Sequence, residues 1–265
     1  MRRCPTSVSR YGILELVPWE CMSVSVKIAM VAALEREVRP LLKHWQMVER
    51  EYEGRRFRFF ECGESVLVCG GIGAEAARGA TEAVIALYRP EVVLSVGFAG
   101  ALDPAFKVGE IFSPSRVIDA RDGSSVETGR GVGLLVSAAS IAGPEQKSKL
   151  AKSYRAQAVD MEAAAVARGA RARDVRFMAV KAISDESTFA MPAMDRFVVE
   201  GKFRAGRFVM FAALRPWLWP RVIQLAGDAS KASRALCAEL NRYIHQAKKP
   251  VVSGPELHPI SRVID

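Results

Sequence analysis

Three stretches of this 265-residue chain carry side chains capable of chemistry at points where strands end or helices begin. The first, Ala32-Ala33-Leu34-Glu35-Arg36-Glu37-Val38, follows an apolar strand-like run. The second, SVGFAGAL over 95–102, enters a Gly/Ala turn at Phe98, Ala99 and Gly100, where backbone can approach a ligand closely. The third, AVDMEAAAVA over 158–167, holds Met161 and Glu162 and is followed by KAISDE over 181–186, with Ser184 and Asp185. Strand ends are where α/β proteins assemble their sites. The reactive groups are carboxyls, so the chemistry on offer is proton transfer and stabilisation of positive charge. An acid set between Met161 and a run of alanines lies beside an apolar, close-packed face. Each acid also has a plain reading, Glu162 as a helix-start carboxylate favoured by the helix dipole and Asp185 as an N-cap. Their occurrence together, in this order, is what singles them out.

Other chemistries find little support. The three histidines (His44, His245, His258) form no metal-ligand pattern, so no metal is expected. The five cysteines are scattered, odd in number and without a CxxC pair, which fits reduced thiols in a cytoplasmic protein.

The elements that must position these residues alternate between β-rich apolar runs and helical patterns. Strands are predicted at 26–32, 55–61, 64–69, 92–97, 132–139 and 175–184, with a further pair within 109–119. Helices are predicted at 35–46, 73–88, 144–153, 160–173 and 228–246. This alternation argues for an α/β fold on a central, largely parallel sheet. Residues 1–21 lack the order of a signal peptide, and the regular pattern starts at Met22, so 1–21 reads as a non-native extension or a loose arm. One domain over 22–246 and a flexible Pro-containing tail over 247–265 complete the division.

In family order, the motifs IAMVAALEREV, GGIGAEAA, VGFAGALDPAFKVGEI, AVDMEAAAVA and AISDE make the chain resemble the purine nucleoside phosphorylase/nucleosidase superfamily. The specific branch is that of the 5′-methylthioadenosine/S-adenosylhomocysteine nucleosidases, and the resemblance runs from about Val26 to Asp185. It implies a single three-layer α/β domain with a mixed, partly closed central sheet flanked by helices, usually in an oligomer. It also implies that Met161 and Glu162 hold the ribose, Glu162 through the 2′- and 3′-hydroxyls. Asp185, with Ser184 beside it, would bind the purine and help protonate N7, and Glu37 would orient the attacking water. The implied reaction is hydrolysis of the N-glycosidic bond of a 5′-substituted adenosine, releasing adenine. Cleavage places positive charge on the ribose and negative charge on the base, so a proton to N7 and a carboxylate under the sugar both lower the barrier. A proton-donating acid needs a raised pKa, which burial supplies. No cofactor is implied, with phosphate as co-substrate if the reaction is phosphorolysis.

Three departures from the family pattern stand out. Phe98 occupies the position where the family has Ser or Thr, and a phenyl ring cannot bond phosphate, which favours hydrolysis over phosphorolysis; Arg116, Arg121 and Arg130 remain as anion candidates. Only Arg121–Gly131 remains where the nucleosidases carry a long loop and a helix, suggesting a site open at the 5′ end. Around Val136–Ile141, Ser140 and Ile141 align with purine-edge contacts. Finally, 203–225 interleaves apolar residues with Arg204, Arg207, Arg215 and Arg221, and is broken by Pro216 and Pro220. It reads as core and homodimer or higher homo-oligomer contact, or as a basic amphipathic element on a membrane surface.

The charge of +9 and the absence of an apolar run of ~18–20 residues close the reading. The acidic constellation does not explain the charge. Nucleic acid is not expected as a partner, since no basic recognition helix or aromatic RNA-binding motif occurs. An anionic membrane is the candidate that the charge around 203–225 offers, and in that alternative the substrate is a small-molecule nucleoside with a large hydrophobic 5′ group. That version resembles, more loosely, the hopanoid-associated phosphorylases, assigned removal of adenine from adenosylhopane. A non-catalytic nucleoside-binding protein is the alternative outside enzymes.

Overall fold

The apolar run at the start of the regular pattern becomes the centre of the sheet. In the computed structural model, which describes residues 26–190 and 215–247 with Phe197–Val199, Lys202–Arg204, Gly206, Phe208 and Phe211 between them, β1 (Ile28–Ala32) is buried at all five positions. It lies parallel between β4 (Ser65–Cys69) and β5 (Val92–Ala101). A strand covered on both faces has no need to alternate polar with apolar residues. On the outer side of β4, β3 (Arg55–Cys62) and β2 (Gln46–Tyr52) continue the sheet antiparallel.

The long strand β5 decides the shape of the rest. It pairs in parallel with β11 (Arg176–Asp185) over nearly its whole length, while its last residues turn to pair antiparallel with β10 (Ala158–Asp160). Beyond β10 follow β9 (Leu134–Ser137), β7 (Arg116–Asp119) and β8 (Ser125–Glu127). The short β6 (Ile111–Phe112) lies antiparallel on β11. Among the described residues these eleven strands form one mixed sheet, and a two-strand ribbon, β12 (Val198–Val199) with β13 (Lys202–Phe203), stands apart.

Helices cover both faces. On one, α2 (Ala74–Tyr88) and α4 (Ala163–Arg171) bury Ala77, Ala80, Ala83 and the run Ala163–Ala167 against the sheet. Small side chains let these two helices sit close to the strands and to each other. On the other face, α1 (Glu35–Leu42) packs with α5 (Trp219–Ala247) through Val38, Leu41, Leu236 and Leu240. A third cluster joins α3 (Pro144–Tyr154) to β9 and β10. The expected three-layer arrangement with a mixed central sheet is therefore present.

Several boundaries differ from the sequence reading. The helix expected over 35–46 stops at Leu42, and Gln46 already starts β2, whose exposed and polar residues conceal its strand character. The helix expected from 160 starts at Ala163, because 158–160 is spent on β10. The strand around Val136–Ile141 ends at Ser137, leaving Ser140 and Ile141 in the loop before α3. The last helix begins at Trp219 rather than 228, absorbing the end of the Trp- and Arg-containing segment. Between β7 and β9 the short segment over 121–131 closes as a hairpin through β8. The arm 1–21, Met22, Arg207 and all but the first residue of the tail 247–265 lie outside the described residues.

Candidate active site

The stretches singled out above converge on one cavity of about 530 Å³ at the carboxyl ends of β1, β5, β10 and β11. Glu37 enters from the first turn of α1, and Phe98, Ala99 and Gly100 from the end of β5. Met161 and Glu162 come from the link between β10 and α4, and Ser184 and Asp185 from the end of β11. Ile141 contributes from the loop before α3. All nine residues thus face a common space, although they span 149 positions from Glu37 to Asp185 counted inclusively.

Glu37 is buried, and its Oε2 has no hydrogen-bond partner among the described residues. Loss of water and the nearby charge of Glu162 push its pKa up to about 8, against the weaker pull of Lys181 and Arg36. Its position depends on Gly97, whose φ of 142° suits glycine and where a Cβ would lie 2.7 Å from Glu37 Oε2. Glu162 stands at the N-cap of α4. Its Oε1 accepts a hydrogen bond from the Gly73 N–H at 2.7 Å and its Oε2 one from the Met161 N–H at 3.3 Å. Burial, and then repulsion from Asp160, raise it to about 7. Two neighbouring carboxyls that resist ionising together are a recurrent acid–base arrangement.

Beneath Glu162 lies a buried ion pair that sequence reasoning quoted without giving it a role. Lys181 Nζ sits 2.8 Å from Asp160 Oδ2, with side-chain exposures of 1% and 0%. Lys181 also donates to Ser95 Oγ at 3.0 Å, and Asp160 Oδ1 accepts from the Ser137 hydroxyl at 2.6 Å. The Ala163 N–H donates to Asp160 Oδ2 and the Ala164 N–H to Ser137 Oγ, so this network holds the first turn of α4, and with it Met161 and Glu162. The signal that could have found it is a lysine within an apolar strand run, since buried lysines are almost always paired.

At the opposite end, β11 shifts register between Ile183 and Asp185, and the bulge turns Asp185 toward the cavity. The residues that follow it, 186–190, form no helix, so Asp185 is not an N-cap. Its Oδ1 accepts from the Ser184 hydroxyl at 2.6 Å, and its Oδ2 accepts from the ammonium of Lys147 on α3. Asp185 meets a cation, Lys147, which the sequence reading missed: a lysine in the polar helix PEQKSKLAKSY carries no local mark of burial.

Phe98 is half-buried, lines the cavity and packs against the cluster beneath α1 and α5. Of the arginines considered for an anion, Arg116 pairs with Glu127 at 2.6 Å, and Arg121 pairs with Asp119 beside a separate cavity of about 230 Å³. Neither these nor Arg130 line the larger cavity; Arg36 does. The outer wall comes from α5 through Val222, Leu225, Ala226 and Ala229, with Phe189 and Phe208 beside them. A cavity with an apolar wall, two proton-holding carboxyls and an ion-paired carboxylate, at the strand ends of a mixed sheet, defines a small-molecule site of an α/β enzyme type.

Comparison with known proteins gives that class a family. The profile of the Phosphorylase superfamily matches residues 27–144 and 130–200. The 5′-methylthioadenosine/S-adenosylhomocysteine nucleosidase of Staphylococcus aureus (strain JH9) is 28% identical over 196 residues, covering 60% of this chain and 86% of the relative. Among solved structures, the futalosine hydrolase of Helicobacter pylori strain 26695 superposes with a TM-score of 0.63 at 17% identity, covering 84% of this chain and 98% of its own. The 5′-methylthioadenosine/S-adenosylhomocysteine nucleosidase of Helicobacter pylori with butyl-thio-DADMe-Immucillin-A gives 0.62 at 18%, with 83% and 98% covered. The chain belongs to the phosphorylase superfamily.

Proposed function

We propose that the chain hydrolyses the N-glycosidic bond of a 5′-substituted adenosine, of the methylthioadenosine or S-adenosylhomocysteine kind, and releases adenine. The observation that carries this reading is the opposition, across one cavity, of the carboxyl pair Glu37–Glu162 and the base-side group Ser184–Asp185. Glu162, fixed by the N–H groups of Gly73 and Met161, accepts from the ribose hydroxyls and stabilises the sugar as it becomes cationic. Glu37, with one oxygen unpartnered, orients water and takes its proton. Asp185, with Ser184 beside it, binds the purine edge and helps protonate N7. Water is favoured over phosphate because Phe98 offers no donor where the family has a hydroxyl. The distant relatives support the same direction, being nucleosidases by name.

The deciding experiment measures adenine release from a panel of adenosines differing at the 5′ position, with and without phosphate. Release independent of phosphate, and reduced at least about 100-fold in Glu37→Gln and Glu162→Gln, is the expected result. Full activity in either variant would remove that residue from the reaction, and release only with phosphate would make the protein a phosphorylase.

A second reading rests on one further observation. The apolar wall supplied by α5 is continuous in sequence with Trp217, Trp219 and Ile223, which are 71%, 51% and 71% exposed. This combination suits a substrate whose 5′ group is itself a large hydrocarbon, as in adenosylhopane, handled at a membrane surface. Among the described residues no helix is long and apolar enough to cross a membrane, so such contact would be peripheral.

A further inference from the structure

Lys147 is a charged group at the cavity wall that the reaction described so far does not use. It rises from α3, is 2% exposed, and reaches the base-side end, where its ammonium donates to Asp185 Oδ2 and, at 2.7 Å, to the Glu186 carbonyl. These bonds use two of its three hydrogens. The approach is built in. A Cβ at Gly100 would stand 3.0 Å from Asp185 Oδ2, 3.1 Å from Lys147 Cε and 3.3 Å from Nζ, so this point of β5 has room only for a bare backbone. Burying an ammonium is costly unless the charge is used or fully paired. Here it lies at the wall of the substrate cavity rather than in the core.

The pair is chemically matched to one edge of a purine. A 6-aminopurine presents a donor, the exocyclic amine, beside an acceptor, N7. Asp185 is an acceptor at both oxygens, receiving hydrogen bonds from Ser184 and Lys147, and Lys147 is a donor with one hydrogen to give. A 6-oxopurine would present two acceptors and set its carbonyl against the carboxylate. We propose that Lys147 is a catalytic residue that delivers the proton to N7 of the departing 6-aminopurine, while Asp185 accepts from the 6-amino group and holds the ammonium in place. The proposal rests on the glycosidic-cleavage reading above and revises the donor within it. As the C1′–N9 bond breaks, its electron pair passes into the purine and a proton moves from Lys147 Nζ to N7, so neutral adenine leaves. The water oxygen bonds to C1′ and its proton goes to Glu37. Lys147 is left as a neutral amine and Glu37 as a carboxylic acid, and proton exchange with solvent restores both.

The test has two arms, both on the full chain. In the first, adenine release is compared with release of p-nitrophenolate from p-nitrophenyl riboside, a leaving group that needs no proton. Lys147→Met is expected to lower the first by about 100- to 10,000-fold and to leave the second within about threefold of the unmodified protein. Equal loss on both, or no loss on adenine, overturns the proposal. In the second arm, calorimetry compares adenine with 7-deazaadenine, which lacks the N7 acceptor. The unmodified protein should prefer adenine by about 10- to 100-fold and bind hypoxanthine weakly, with the preference abolished in Lys147→Met. Indifference to N7 in the unmodified protein overturns the proposal even if the variant does not fold. Failure of the underlying reading looks different: no nucleoside yields adenine at all, whatever residue stands at 147.

Discussion

A carboxyl group held at about 8, as Glu37 is, stays largely protonated at neutral pH and ionises just where it would serve as a base. If Glu37 takes the proton of the attacking water, it must first lose its own, so activity should climb with pH. With Glu162 raised to about 7, kcat/KM is expected to rise through the interval 7–8 and to level off above it. A profile already flat from pH 5 upward would sink this role. Stability should move the opposite way. A carboxyl whose folded pKa lies above its unfolded value near 4.5 costs nothing at low pH, and its cost grows as pH rises until about 8. Glu37→Gln removes that cost. In urea titrations the variant should match the unmodified protein near pH 4.5 and exceed it above pH 8 by an amount on the order of 3 kcal/mol. The same residue would thus weaken the fold and drive the chemistry, and both effects come from one desolvated carboxyl group.

Elements rather than single residues set where Glu162 stands. The helix α4 starts where it does because β10 occupies the three residues before it, and because Asp160 and Ser137 accept the N–H groups of Ala163 and Ala164. Asp160 in turn is held by Lys181 from β11, which like β10 pairs with β5. Lys181→Met would leave Asp160 buried without its counter-charge, and a loss of about 3–5 kcal/mol in unfolding free energy is expected. Adding Asp160→Asn should recover much of it, since removing both charges is far less costly than stranding one. A single variant within about 1 kcal/mol of the unmodified protein would show that the pair is not what secures this turn. The geometry of Gly97 and Gly100 belongs to the same scale: one strand, β5, passes bare backbone under Glu37 and under the Lys147–Asp185 pair.

At the scale of the whole molecule the outer wall of the cavity, supplied by α5, continues into exposed apolar residues. Trp217, Trp219 and Ile223 leave apolar surface in water next to Arg221, a combination suited to an interface between lipid headgroups and hydrocarbon. The expected outcome is co-sedimentation with vesicles rich in anionic lipid, weaker with zwitterionic ones, reduced by salt, and lost in the double variant Trp217→Ser, Trp219→Ser. A stable dimer in sedimentation with no vesicle binding would assign this face to a second copy of the chain instead. It would also withdraw support from a lipid nucleoside as substrate. The excess positive charge has a direct test in that salt dependence.

The chain's own order of residues was enough to single out groups that line one cavity. Glu37, Glu162 and Asp185 sit beside the ends of β1, β10 and β11, whose carboxyl ends meet at one side of the sheet. The α/β class was legible from the alternation of strands and helices, which read as a largely parallel sheet, while the mixed sheet came from the family resemblance. Tertiary structure alone decided the environment of those residues. Whether a carboxyl keeps its water or loses it, and so whether Glu37 moves to about 8, depends on α1, β5 and α4 meeting over it. The partner of Asp185 comes from 38 positions away on a mostly polar helix, so only packing could reveal that Lys147 points inward. The strands β10 and β2 escaped for a related reason: the three residues of β10 and the exposed ones of β2 carry too little apolar periodicity to outweigh their neighbours. Residue types and spacing determine which groups are available to react; the burial, pairing and charge that decide how they react arise between elements distant in the chain.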